Sequence, residues 1–598
     1  MLNFKNLNHQ LILQKTSLKF SLLTLKKRAI LSFCLSLSLI TGISATQAEP
    51  IYNREHIFHP VIARNGMVSS QERYATEAGL EVLKEGGNAI DAAVTIGFTL
   101  AVTLPRAGNL GGGGFMLMHS AKENQTLAID YREKAPQAAT RDLFLDDNGE
   151  VDPEKSRFSY LAVGVPGTVA GLTMALEKYG TISLGRALKP AIELAENGFP
   201  ISEDLYESLL FAQKRIQAYP ASTAIFFKPG GMPYEVGDIL IQKDLAKSLK
   251  LIAKEGSKAF YQGAIAKAIV ADMEANGGLI TKEDLAAYQP VIREPIRGTY
   301  RGYEIYSMPP PSSGGIHLVQ MLNILEKFPI NKLGHNTAKS IHFMTETMKL
   351  AYADRSKFLG DSDFIPVPIT GLVSKQYAQE LRSKINIEQA TASQEVLPGN
   401  PNQFAESNDT THYSVMDKYG NVVANTYTLN FSYGTGITAT GTGILLNNEM
   451  DDFSAKPGVP NAFGLTGGEF NAIEPEKRML SSMTPTIVMK EGKPYLVTGS
   501  PGGSLIITTV LQVVMNVIDH KMNIATATNA VRIHHQWLPD QLMIENGLNG
   551  DTTRLLKEKG HQISVRDAMG STQSIMRVNN TFQGASDPRK PGALTLGY

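Results

Sequence analysis

The stretch ESNDTTHYSV, residues 406–415, decides how this 598-residue chain is read. Upstream of it, from about residue 384 to 409, the sequence has no periodicity, few large apolar residues and two prolines (Ile385 to Asp409 reads INIEQATASQEVLPGNPNQFAESND), the composition of a flexible linker. Downstream, Thr411 to Asp417 alternates like a strand, Lys418 to Asn421 reads as a turn, and Val422 to Leu429 returns as a second strand. Two threonines stand at the seam. A hydroxyl is a poor nucleophile without a base, and the chain offers neither a Gly-x-Ser-x-Gly elbow nor a histidine placed for a triad. A cut just before a threonine supplies the base on the same residue, because an α-amino group titrates at about 8 and can accept the hydroxyl proton at neutral pH. That chemistry needs a loose segment ahead of a rigid strand, and this junction has that form. Strands often begin with threonine for no catalytic reason, and spacing does not choose between Thr410 and Thr411.

A second hairpin runs from Thr484 to Lys490, turns at Glu491 to Lys493 and returns from Pro494 to Gly499. It leads through Ser500-Pro-Gly-Gly-Ser504 into an apolar helix from Leu505 to about Asp519. Gly502 and Gly503 can turn consecutive N–H groups outward with a helix N-terminus behind them, an arrangement suited to an oxyanion; a simple strand-to-helix turn explains the same residues. Near the N-terminus, Ser69 or Ser70 can cap a helix ending at Gly86-Gly87, followed by a second helix to about Thr103 that is apolar nearly all round and so should be buried. The run Gly108 to Gly114 lacks the Gly-Lys-Ser/Thr ending of a phosphate loop. It fits better as a close backbone approach beside a buried strand, Phe115 to His119. Residues 155–385 alternate helical patterns with proline- and glycine-marked turns. No repeat and no metal-ligand spacing stands out: His56 with His59, and His534 with His535, read as structural, so neither metal nor cofactor is expected.

Hydrophobic content of 42% and charge of 19% are those of a soluble globular protein. Basic and acidic residues number 57 each, so nothing overall points to nucleic acid. The balance hides an asymmetry: residues 1–48 hold six basic and no acidic residues, which leaves 51 against 57, a net charge of −6, in the remainder. Lys26-Lys27-Arg28, the apolar run Ala29 to Ile40 and the small residues ending at Ala48 have the order of a secretory signal. The apolar run is roughly half of the about 20 residues a spanning helix needs, which weighs against an uncleaved anchor. Cleavage after Ala48 would leave no membrane attachment and a periplasmic or secreted protein. The only cysteine, Cys34, lies in this leader, so the mature chain has no disulfide, thiolate nucleophile or Cys-ligated zinc.

TTHYSV, TLNFSYGTG, LLNNEMDDFSAKPG, SSMTPTIV, TGSPGGS, HHQWLPD and GASDPR, together with GNLGGGGFM and the YREKAP of Tyr131 to Pro136, occur in one order along the chain. In these the mature chain resembles the γ-glutamyltransferases (γ-glutamyltranspeptidases), a family of N-terminal-nucleophile hydrolases. The resemblance implies a four-layer αββα sandwich and a precursor that cuts itself between Asp409 and Thr410. The products would be a large subunit, residues 49–409, and a small catalytic subunit, residues 410–598, which stay associated as a heterodimer. It implies Thr410 as nucleophile with its own amine as base, Thr428 in support, and Gly502 and Gly503 as the oxyanion hole. Arg132, helped by Ser481 and Ser482, would bind the α-carboxylate of a γ-glutamyl group, and Asn430, Glu449 and Asp452 its α-ammonium; a bidentate arginine suits the first. Read alone, Arg132-Glu133 is a surface ion pair and Asp451-Asp452 an acidic turn or weak metal site. Expected substrates are glutathione and other γ-glutamyl compounds, with water, amino acids or peptides as acceptors. Glu449 departs from the glutamine of many bacterial members and adds charge. Phe463, in Pro457 to Gly468, replaces a lid tyrosine that bonds the asparagine matching Asn430, so the loop should be held by ring packing alone. Two rivals are a cephalosporin or glutaryl acylase of the same fold, against which Asp452 and Asn430 argue, and an uncleaved secreted γ-glutamyl-binding protein.

The junction generates a direct expectation. Thr410→Ala leaves one uncut chain on a denaturing gel, and N-terminal sequencing of the wild-type small subunit begins at Thr410; any other first residue overturns the assignment of the nucleophile.

Overall fold

The computed structural model describes residues 57–401 and 412–598. Two seven-stranded antiparallel sheets dominate it. The first runs Leu594–Gly597, Gly66–Ser70, Tyr413–Asp417, Val422–Thr428, Gly113–Ser120, Gln125–Tyr131, Val291–Arg293 in spatial order. The second runs Val61–Ala63, Thr581–Ser586, Gln573–Val578, Lys493–Thr498, Thr486–Lys490, Tyr303–Ser307, Ile296–Tyr300. Both expected hairpins are present, at Tyr413–Asp417 with Val422–Thr428 and at Thr486–Lys490 with Lys493–Thr498.

The strands Tyr413–Asp417 and Val422–Thr428 are buried along their whole length, so on both faces their side chains are apolar or internally hydrogen-bonded. The period-2 alternation sorts their side chains. Met416, Val422 and Ala424 enter a core with Phe115, Ile487, Val497 and Ile575, residues drawn from both sheets. Tyr413, Val415, Val423 and Tyr427 face the other way, into a core with the helices Ala89–Thr103 and Thr168–Tyr179. The outer face of the second sheet is covered in the same manner by Ser313–Leu325, Ala338–Phe358 and Leu505–Ile518. The layers are helix, sheet, sheet, helix: the αββα sandwich that the resemblance implied.

Helix Ala89–Thr103 is buried at every position, as its uniform apolarity requires, and Asn88 with Asp91 forms a capping box at its start. Tyr413 donates from Oη to the carbonyl of Ala93 at 2.7 Å and Tyr427 to that of Gly97 at 2.9 Å, so two adjacent strands are pinned to one helix. Helix Arg73–Lys84 is capped by Glu72, whose carboxylate accepts from the N–H groups of Tyr74 and Ala75, and not by Ser69 or Ser70. Those serines lie in the strand Gly66–Ser70, where Ser69 pairs with Ser414. The cap-like sequence was overridden by strand pairing.

The expected linker also departs from expectation over 385–401. Val396 is buried, Trp537 donates from Nε1 to the carbonyls of Ser393 (2.8 Å) and Val396 (2.9 Å), and the Gly399 N–H reaches Asp354 Oδ1 at 2.8 Å. Lys349 Nζ donates to the Thr391 carbonyl at 2.6 Å. This segment is held through its backbone by buried polar groups of distant elements, which its own composition cannot reveal. Residues 402–409, and with them the expected cut site, lie outside the described residues. Both sheets contain strands from before and from after that gap.

Gly171 tests the seating of the helix layer. A Cβ there would lie 2.2 Å from Cγ of Tyr131, a buried ring whose hydroxyl is held by Asn425 at 2.7 Å. Gly171→Ala therefore lowers stability by about 1–3 kcal/mol through overpacking, partly offset by the better helix propensity of alanine. Urea unfolding measures it; an unchanged midpoint means that the ring can move aside.

Candidate active site

The strand Val422–Thr428 ends where its neighbour Gly113–Ser120 begins, with Thr428 opposite Gly113. The glycine run before it is a close approach, as expected: a Cβ on Gly112 would fall 2.0 Å from the Thr428 carbonyl oxygen. That carbonyl accepts from Asn109 Nδ2 at 2.8 Å, and Thr428 Oγ1 accepts the Asn430 N–H at 2.8 Å. Asn430 takes a left-handed backbone (φ 74°) and donates from Nδ2 to the Asn448 carbonyl at 3.0 Å. The two side chains are thus fixed relative to each other by the backbone they share.

Arg132 follows directly on the strand Gln125–Tyr131 and is wholly buried. Its guanidinium pairs with Glu449, and through Nη2 with Asp452 Oδ2 at 2.7 Å; Glu133 lies 3.7 Å away. The backbone of Arg132 is anchored by its N–H to Asp130 and its carbonyl to the Tyr288 hydroxyl. Asp451, beside Asp452 in the same 3₁₀ turn, faces elsewhere and accepts from Ser156 Oγ at 2.7 Å. Three buried carboxylates around one guanidinium are an excess of negative charge. Burial raises all three carboxyls, with the neighbouring carboxylates adding to it and Arg132 opposing: Glu133 to about 7, Asp452 to about 6, and Glu449 well above its ordinary range. Glu449 Oε2 and Ser481 Oγ are buried without a hydrogen-bond partner among the described atoms. Buried polar groups left unmatched in this way are where ligand contacts are first sought.

Ser481 and Ser482 are held by Arg355, whose Nη2 lies 3.3 Å from the Ser481 carbonyl and 3.5 Å from Ser482 Oγ and whose charge acts on Asp452. Arg355 was not expected: it sits inside the helix Ala338–Phe358, 127 residues from Ser482, with no local signal. Asn109 and Asn448, which brace Thr428 and Asn430, were missed for the same reason.

Gly502 and Gly503 both have positive φ, 132° and 55°, and no described acceptor takes either N–H. They line a cavity of about 620 Å³ together with Thr428, Asn430 and Phe463. Phe463 packs edge-on against Phe431, with ring centroids 5.7 Å apart, and a Cβ on Gly503 would meet its ring at 2.6 Å. The loop around it is held by more than ring packing, which corrects the expectation. Gln536 Nε2 donates to the Phe463 carbonyl at 3.1 Å, Asn461 N–H to Leu465 O at 3.0 Å, and Gly458 N–H to Gly467 O at 3.0 Å. Thr410 lies outside the described residues; His412, two residues on, is buried between Thr426 Oγ1 and Ser414 Oγ, and burial pushes it down to about 3, so it is neutral.

Among the described residues one His/Glu cluster forms, from His342, Glu346 and His561, which the sequence separates by 219 residues. The ammonium of Lys349 already sits 3.0 Å from Glu346, and His342 Nδ1 meets His561 Nε2 at 2.8 Å as a hydrogen bond. The cluster is a buried polar network that holds Asn386 and Thr391.

An αββα sandwich with a polar cavity at the end of its central strands has the architecture of the N-terminal-nucleophile hydrolases. The γ-glutamyltranspeptidase family model matches residues 75–596, and the glutathione hydrolase proenzyme of Escherichia coli K12 is 55% identical over 579 residues, covering 96% of this chain and 99% of the relative. The chain belongs to the γ-glutamyltranspeptidase family. Among solved structures, a cephalosporin acylase from Bacillus halodurans aligns with a TM-score of 0.81 at 29% identity, over 92% of this chain and 98% of its own. The γ-glutamyltranspeptidase of Helicobacter pylori aligns with a TM-score of 0.55 at 49% identity, over 58% and 97%.

The charge excess around Arg132 makes its removal pH-dependent. In Arg132→Gln the carboxyls of Glu449 and Asp452 lose the guanidinium that most lowers their folded pKa, so it rises further above the unfolded value of about 4. A group raised in the folded state contributes its stability below its unfolded pKa and loses it as pH rises through the folded one. The deficit against wild type is therefore small near pH 5.5 and grows toward about 3–5 kcal/mol at pH 8. Urea unfolding at the two pH values measures it; an equal deficit at both shows that the carboxyls do not titrate with the arginine.

Proposed function

We propose that this chain is a self-processing γ-glutamyltransferase that cleaves the γ-glutamyl amide of glutathione-like donors and passes the group to water or to the amine of an amino acid or peptide. The observation that carries this reading is the buried cluster of Arg132 with Glu449, Asp452 and Glu133, tied through Asn448, the neighbour of Glu449, to Asn430, which lines the cavity with Thr428, Gly502 and Gly503. An arginine and a surplus of carboxylates at one place suit a zwitterion. The α-carboxylate would take the Arg132 fork and the N–H and O–H donors near Ser481 and Ser482, and the α-ammonium would neutralise Glu449 and Asp452 and donate to the amide oxygen of Asn430.

In this reading the chain cuts before Thr410. The freed amine takes the hydroxyl proton, Oγ1 attacks the γ-carbonyl, and the outward N–H groups of Gly502 and Gly503 stabilise the oxyanion. Collapse breaks the C–N bond and releases the amine with the proton, leaving a γ-glutamyl ester on Thr410. Water or an acceptor amine then attacks the ester and returns the threonine. Sheets that interleave strands from both sides of residue 409 support the expectation that the two products remain together as a heterodimer. A leader ending at Ala48 supports a periplasmic or secreted location, and no helix among the described residues is long and apolar enough to cross a membrane.

The likeness to a cephalosporin acylase keeps a dicarboxylate amide as the second reading. A glutaryl group lacks the ammonium and would face Glu449 and Asp452 as unrelieved like charge. Release of aniline from a γ-glutamyl anilide, with and without glycylglycine, tests the assignment against turnover of the glutaryl anilide. Expected are faster release with glycylglycine and a γ-glutamyl preference of at least tenfold that Asp452→Ala abolishes. Preference for the glutaryl substrate in the wild type, or an Asp452→Ala variant improved on glutaryl without loss on γ-glutamyl, overturns it.

A further inference from the structure

The same cavity has a second wall with a different chemistry. Besides the catalytic elements it is lined by Arg106, Arg215, Arg589 and Lys590, and no aspartate or glutamate lines it. Two of these cations are already matched: Arg106 lies 2.8 Å from Asp204, and Arg589 pairs with Glu545 at 2.5 Å and Asp587 at 3.1 Å. Arg215 and Lys590 have no carboxylate within ion-pair distance among the described residues. Arg215 lies in the last turn of the helix Glu203–Ile216 and is half-buried. Its guanidinium lies over the Phe158 ring at 5.3 Å, one Nη donates to the Ser432 carbonyl, and its buried Nε has no described acceptor. Ser432 is two residues from Asn430, so this arginine is tied to the strand end that bears the donor-site asparagine. Phe158 and Phe431 meet with centroids 6.1 Å apart and make the apolar side of the same wall.

A planar fork with unused donors, steadied on an aromatic face and partly desolvated, is suited to a carboxylate. Resting on the function proposed above, we infer that Arg215, assisted by Lys590, receives the C-terminal carboxylate of the departing dipeptide and of the incoming acceptor peptide, with the side chain of that peptide against Phe158 and Phe431. In that function the donor's own α-carboxylate has Arg132, which does not line this wall, so the site reads a substrate with a carboxylate at each end. Acceptors would then be peptides with a free C-terminus, in preference to their amides or to simple amines.

The experiment begins with the wild-type enzyme, comparing glycylglycine with glycylglycinamide as acceptor and glutathione with a γ-glutamyl anilide, which has no carboxylate in its leaving group, as donor. The inference expects a KM for glycylglycine about tenfold or more below that for the amide, the loss expected when a charged partner is left unpaired. Arg215→Gln should erase that preference and lower the ratio of kcat/KM for glutathione over the anilide by a similar factor; Arg215→Lys should restore part of both. Lys590→Gln should have the same sign and smaller size. Equal KM values for acid and amide in the wild type, or a preference unchanged in both the Arg215→Gln and Lys590→Gln variants, overturns the inference while leaving the γ-glutamyl assignment standing. Absence of turnover on every γ-glutamyl donor overturns both.

Discussion

The seating of one hairpin governs this molecule. Tyr413–Asp417 and Val422–Thr428 lie third and fourth of seven strands, with Gly66–Ser70 on one side and Gly113–Ser120 on the other. Being central, they satisfy their backbone groups on both edges, and being covered on both faces they carry apolar or internally bonded side chains throughout. Tyr413 and Tyr427 reach the carbonyls of a single buried helix. The position of every group at the strand ends, Thr428 and Asn430 above all, follows from this ladder. A rigid platform of this kind is what allows reacting groups to be held without adjusting as chemistry proceeds.

The electrostatics are laid out on that platform in two zones. At one, a single buried guanidinium is outnumbered by carboxyls that burial and mutual repulsion push toward neutrality. At the other, cations outnumber carboxylates and aromatic rings supply the remaining surface. Gly502 and Gly503 line the cavity of this second zone with unengaged N–H groups, and the ring of Phe463 rests against the second glycine. Burying charge without full compensation costs stability, and proteins retain such arrangements where binding or catalysis needs them.

Phe463 and the segment 385–401 show how loops are tied without local signals. Phe463 keeps its place through the Gln536 amide and a ring contact, not through a hydroxyl. The segment leading toward residue 402 hangs on Trp537, Asp354, Lys349 and Asp540, all of them far along the chain. A proline-bearing polar stretch looks loose by composition, yet each of these bonds uses its backbone, which composition does not describe.

By itself the sequence determined the hairpins, the uniformly buried helix Ala89–Thr103, the close approach at Gly112 and the identity of the side chains able to do chemistry, because periodicity, glycine placement and residue type are local properties. The motifs carried the family, and with it the expectation of which residues meet. Only the tertiary structure decided that Arg132 would be wholly buried among Glu133, Glu449 and Asp452, that Asp451 would turn away to Ser156, that Arg355 would lie beside Ser481 and Ser482, and that Glu72 rather than a serine would cap Arg73–Lys84. Each depends on partners tens to hundreds of residues apart, and on burial, which converts an ordinary ionisable side chain into a charge that must find its counterpart.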